Sequence, residues 1–123
     1  MGWKKPTLRN KVNLLDTVPV RSGQVTTEWE DGCAVLVFPR FRRKRIWYRL
    51  LPASLSPLLH IRLEEHGTAV WNLIDGQRTV REIVELLESH FQGETNYPSR
   101  VAAYVAQLQK DGFIRLWIRH TDA

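Results

Sequence analysis

"AVWNLIDGQRTVREIVELLESHF", residues 69–91, holds two helical patterns separated by a single Asp-Gly pair. Val70, Leu73 and Ile74 fall on one face and predict a helix over 66–75, with Gly76 just beyond it as the C-terminal stop. Thr79 followed by Glu82 predicts a capping box that opens a second helix. Val80, Ile83, Val84, Leu87 and Phe91 then recur at i, i+3, i+4, i+7 and i+11, an apolar stripe along one face. Asp75 and Gly76 are read as a structural turn, sharp enough for the two apolar faces to share one core. Neither helix carries an obvious catalytic residue.

Beyond Phe91, a loop with Gly93, Asn96 and Pro98 leads to a third helical pattern, with Val101, Tyr104, Val105 and Leu108 inward and Gly112 as its end. "FIRLWI" closes the chain as an extended or packed tail. Upstream, "VTTEWEDGCAVLVFPR" predicts a hairpin, with Val25 to Trp29 and Ala34 to Phe38 as strands and Asp31-Gly32 as the tight turn. "LLHIRLEE" resumes alternation and predicts a third strand, with Leu59, Ile61 and Leu63 on one side and His60 and Arg62 on the other. Between them lies "RFRRKRIWYR" and then "LLPASLSP", whose Pro52 and Pro57 disfavour regular structure. Strands followed by three helices predict a small α+β domain, and a winged helix-turn-helix topology fits that order: a three-stranded antiparallel sheet followed by three helices. Residues 1–17 lack periodicity and read as an N-terminal arm.

The chain has 123 residues, 43% hydrophobic and 25% charged, which suits one globular domain with its own core. No apolar run reaches the length of a membrane span. The opening "MGWKKPTLRNK" lacks the apolar stretch of a secretory signal, and Lys5 and Pro6 stand where a myristoylation signal prefers a small hydroxyl residue. Cys33 is alone, so an intrachain disulfide is excluded and a structural thiol in a reducing, cytoplasmic setting is expected. The net charge of +5 is concentrated in residues 40–49. That run could meet phosphates, an acidic peptide or anionic lipid, with Arg42, Arg43 and Arg45 as contacts for an acidic partner. The plainer alternative is a solvated loop.

A search for chemistry finds little. His60, His66, His90 and His120 have no metal-ligand spacing with one another or with Cys33. No nucleophile elbow, phosphate loop or dinucleotide-binding glycine pattern is present. Glu64 and Glu65 are adjacent at a strand end and face different directions, so they read as acidic residues favouring a helix N-terminus. Trp71, one of five tryptophans, falls within a helical pattern and reads as core or boundary. No catalytic residue, metal or cofactor is expected.

The order of these signals resembles the PqqD family. The resemblance spans 18–118 and is carried by the hairpin, the strand running into "HGTAVWNLIDGQRTVREIVELL", and the third helix ending in "LQKDGFIRL". It implies one PqqD-like domain over 18–118, with a basic insertion at 41–57 and a C-terminal tail at 119–123. PqqD-like domains, also called RiPP recognition elements, bind the leader of a ribosomally made precursor peptide and present it to a modifying enzyme, often a radical SAM protein. The resemblance therefore implies a noncatalytic peptide chaperone whose partners are a precursor peptide and a modifying enzyme. In such domains the peptide adds as a strand beside the third strand and packs against the third helix, by main-chain pairing with alternate side-chain pockets. Carried over, the peptide-binding residues are His60, Ile61, Arg62 and Leu63 with Arg100, Ala103 and Gln107. Ala102, Ala103 and Ala106 are small enough for close backbone approach, or are simply helix-favouring residues. The rival reading is a winged-helix DNA-binding protein. The outward residues Arg100, Ala103, Gln107 and Lys110 are a sparse set for phosphate and base contacts. A third reading, association with a membrane surface through "RIWYRLL", rests on one short amphipathic stretch.

Overall fold

The computed structural model describes residues 3–4, 13–39 and 57–119. Its elements run β1 (Trp3–Lys4), a 3-10 turn (Leu14–Asp16), β2 (Thr17–Arg21), β3 (Thr26–Glu30), β4 (Cys33–Pro39), β5 (Leu58–Arg62), α1 (Glu65–Leu73), α2 (Val80–Leu86), α3 (Tyr97–Lys110) and β6 (Ile114–Arg119). The chain is a mixed α+β protein with two three-stranded antiparallel sheets, ordered β3-β4-β5 and β1-β6-β2. It forms two compact units, Gly23–Thr68 and Met1–Ser22 with Ala69–Ala123. Helix α1 carries the chain from one to the other.

The unit Gly23–Thr68 contains the hairpin and third strand that alternation predicted. Asp31 and Gly32 take positive φ of 51° and 80° between the paired residues Glu30 and Cys33. That is the type I′ geometry whose twist matches its flanking strands. In the central strand β4, Ala34, Val35, Leu36 and Val37 are all buried, so the run of apolar residues faces no solvent on either side. The Leu63 N–H donates to the Ala34 carbonyl at 2.8 Å and carries the β4–β5 ladder one residue further. The buried Thr68 hydroxyl accepts from the Ala34 N–H at 3.0 Å and donates to the Leu63 carbonyl at 3.4 Å. Both its polar capacities are used, as burial requires.

In the other unit, β6 pairs with β2 from Thr17↔Ile118 to Arg21↔Ile114, and the Ser22 N–H donates to the Phe113 carbonyl at 2.9 Å. The predicted tail is thus a strand, and the end of the predicted N-terminal arm enters the sheet at Thr17. Pro19 is tolerated because β2 has one strand neighbour among the described residues, so a missing N–H need not break a central ladder. The capping box is present: the Glu82 N–H donates to the Thr79 hydroxyl and the Thr79 N–H to the Glu82 carboxylate, each at 3.1 Å. All five stripe residues from Val80 to Phe91 are buried, although α2 itself closes at Leu86. Bonds from the Leu87 N–H to the Ile83 carbonyl and from the Phe91 N–H to the Leu87 carbonyl, both 3.1 Å, keep the chain winding past that point.

Pro98 stands in the first turn of α3, where its absent N–H costs nothing. The helix ends in a Schellman arrangement: the Phe113 N–H reaches the Leu108 carbonyl and the Gly112 N–H the Gln109 carbonyl, both at 3.0 Å. Gly112, at φ 84°, supplies the left-handed residue this requires. Val101, Val105 and Leu108 are buried and Tyr104 is half-buried.

Candidate functional site

Two places stand out, a cluster of polar groups and an edge strand. The first is the turn between α1 and α2. One carboxylate oxygen of Asp75 accepts from the Gln77 N–H at 2.9 Å and the Arg78 N–H at 3.0 Å. The Arg78 guanidinium lies 3.3 Å from the other oxygen and donates to the Leu73 carbonyl at 3.2 Å, capping the end of α1. Arg21 caps the same helix end by donating to the Trp71 carbonyl at 2.7 Å, with its guanidinium carbon 4.7 Å from the centre of the buried Trp71 ring. Partial burial pushes the Asp75 pKa up, but the two amides and Arg78 pull it further down, and the net value lies below the ordinary carboxylate range. Burial lowers the Arg21 pKa, with Asp75 opposing that shift. Asp75, Arg78 and Arg21 each bond backbone groups at the turn or at the end of α1, which gives the cluster a structural role.

The second place is β5. Among the described residues its only strand neighbour is β4, so one side of its backbone faces no strand. Leu58, His60, Ile61 and Arg62 are exposed and Leu59 is half-buried, whereas Leu63 just beyond the strand is buried. Five residues of largely exposed edge strand with apolar side chains is the arrangement that proteins usually blunt unless it is used.

Arg100, Ala103 and Gln107 lie on α3, in the other unit, and all three are exposed. Two of them are occupied locally. Arg100 pairs with Glu94 at 2.6 Å and lies 5.7 Å from the Phe91 ring centre. The Gln107 amide donates to both Asp111 carboxylate oxygens, at 3.1 and 3.2 Å. Ala102 is half-buried, whereas Ala103 and Ala106 are exposed. Arg42, Arg43 and Arg45 lie outside the described residues, as does most of the basic insertion.

Sequence reasoning passed over a recess of about 500 Å³ after α2, lined by Glu88, Ser89, Phe91, Gln92, Gly93, Glu94, Thr95 and Tyr97. Phe91 and Tyr97 stack beside it, 5.2 Å apart and 8° from parallel, and the Tyr97 hydroxyl donates to the Val84 carbonyl at 3.1 Å. Apart from Phe91, which ends the apolar stripe, and Tyr97, which opens α3, its lining comes from the segment between the helices, where no periodicity announces it. Among the described residues no group of His, Cys, Asp and Glu side chains could hold a metal ion, and Cys33 is a half-buried free thiol. No helix among them is long and apolar enough to cross a membrane.

Residues 60–114 match the family model described as "Coenzyme PQQ synthesis protein D (PqqD)". No curated protein and no solved structure gives a match. The match opens within the exposed strand β5, runs through all three helices and closes at the first residue of β6, so the stretch from His60 to Ile114 is similar to the PqqD family.

Proposed function

We propose that this chain is a noncatalytic peptide-binding chaperone, which holds the leader of a ribosomally made precursor peptide in extended form and presents it to a modifying enzyme. The observation that carries this reading is the position of β5, an exposed edge strand at the start of the segment that matches the PqqD family model. PqqD-family proteins are accessory to biosynthesis rather than catalytic, and they bind a precursor peptide. An extended peptide alongside β5 would gain main-chain hydrogen bonds from His60 and Arg62, on the side of the strand away from β4, and choice from the alternating His60, Ile61 and Arg62 side chains. A second peptide contact is proposed separately on α3, at Ala103 flanked by Arg100 and Gln107. A radical SAM protein is the class of modifying enzyme that the resemblance favours, and a cytoplasmic setting suits the lone, half-buried Cys33 thiol.

The test is amide hydrogen exchange of the full chain with and without the leader of a small peptide encoded beside it. Slowed exchange at Leu58–Arg62 is expected. Binding that leaves those amides unchanged would overturn the reading.

A further inference from the structure

The sheet of the unit Gly23–Thr68 carries opposite charge at its two edges. Residues paired across antiparallel strands project to the same face, so register assigns the faces. Glu28, Val35 and Arg62 form one row, and Thr26, Val37 and His60 the next. Glu30, paired with Cys33, continues the same face at the turn. One face therefore bears Glu28 and Glu30 along β3, buried Val35 and Val37 along β4, and His60 and Arg62 along β5. Glu28, Glu30, His60 and Arg62 are all exposed. The ion pairs of the described residues involve none of them. Two strand spacings, about 10 Å, separate the acidic edge from the basic one. On the opposite face, β5 presents Leu59 and Ile61, the latter 40% exposed.

We infer that this polarity decides which edge accepts a strand and what that strand contains. The inference rests on strand addition as proposed above. The β5 edge takes an extended segment in which carboxylates alternate with apolar residues. The carboxylates meet the Arg62 guanidinium and the His60 imidazole, both able to donate to them, while the apolar residues cover Ile61 and Leu59. The same segment on β3 would set its carboxylates against Glu28 and Glu30, and like charges directly opposite oppose pairing. Glu28 and Glu30 thus guard an edge that, like β5, has β4 as its one strand neighbour among the described residues.

The test uses the full chain and two capped nonapeptides, one alternating Glu with Val and the other Lys with Val, read by backbone amide shifts at low salt. The Glu peptide should shift Leu58–Arg62 and bind about tenfold tighter than the Lys peptide. Arg62→Glu, an exposed change, should erase or reverse that preference. Glu28→Lys with Glu30→Lys should let the Glu peptide shift Thr26–Glu30 as well. Equal binding of the two peptides at Leu58–Arg62 would leave strand addition standing and overturn selection by charge. A Glu peptide that shifts Thr26–Glu30 of the unaltered chain would overturn it too. If neither peptide shifts either edge, strand addition falls and this inference falls with it.

Discussion

Gly76 and Asp75 divide the work of one turn. Gly76 has φ 80°, and a Cβ added there would meet nothing nearer than the Val20 side chain at 3.9 Å. Space is therefore available, and the cost of a side chain is conformational. Gly76→Ala should lower the unfolding free energy by about 1 kcal/mol, read as a lower urea midpoint with unchanged slope. An unchanged midpoint would mean that the turn relaxes around the new residue. Asp75 acts through charge as well as shape. Its folded pKa lies below its unfolded value, so its contribution is complete above the ordinary carboxylate pKa of 3.8 and fades as pH falls through the lower folded value. Asp75→Asn keeps an oxygen for the Gln77 and Arg78 amides but removes the charge. The stability gap between the two proteins should be constant near neutrality and close on acidification below about pH 4. Water reaches this side chain, and high salt should narrow the gap at every pH. The Asp-Gly dipeptide was legible because turn chemistry is local. Arg21, fifty residues from Trp71, was not, since nothing in its own neighbourhood points to a helix end.

Elements whose signal is periodic or capped were read from the sequence nearly to the residue. The Thr79–Glu82 box is one, and Thr79→Ala removes the oxygen that receives the Glu82 N–H. That change should cost about 1 kcal/mol in chemical unfolding, and Thr79→Ser should recover most of it. Equal loss in both variants would show that the Thr79 methyl, and not the cap, matters. The hairpin, the third strand and the three helices were likewise visible in alternation, the Asp-Gly turn and apolar stripes. Two features were not. The α2 stripe continues to Phe91 without a Gly or Pro, so nothing in the sequence marks the helix end at Leu86. The sheet of β1, β6 and β2 joins segments about a hundred residues apart, with no turn between them to announce a pair. Pro19 further disguised β2, because a proline argues against a strand except at an edge, and edge position is a property of the sheet.

At the scale of the whole molecule, legibility of the site follows the same division. His60, Ile61 and Arg62 could be placed on a strand by alternation, and Ala103 on the outer side of a helix by period. That β5 stands at an edge emerges only from strand order. That Arg100 is engaged by Glu94 emerges only from the path of the loop before α3. The division of the chain between Thr68 and Ala69 falls inside α1, where no shift in composition marks it. Ala103 is the cleanest probe of the α3 part of the proposed function, since it is exposed and has no side-chain bond to lose. Ala103→Arg should stay folded by circular dichroism, because Arg is a strong helix former and nothing is emptied from the core. It should bind the leader at least about tenfold more weakly through faster dissociation, as loss of a close contact acts mainly on the off-rate. Arg42, Arg43 and Arg45 offer the contrast. Changing all three to Gln should slow association with an acidic leader and leave dissociation nearly unaltered, as expected of charges that steer without docking. Stopped-flow binding separates the two patterns. A folded Ala103→Arg protein with unchanged dissociation would show that the surface of α3 makes no contact with the peptide.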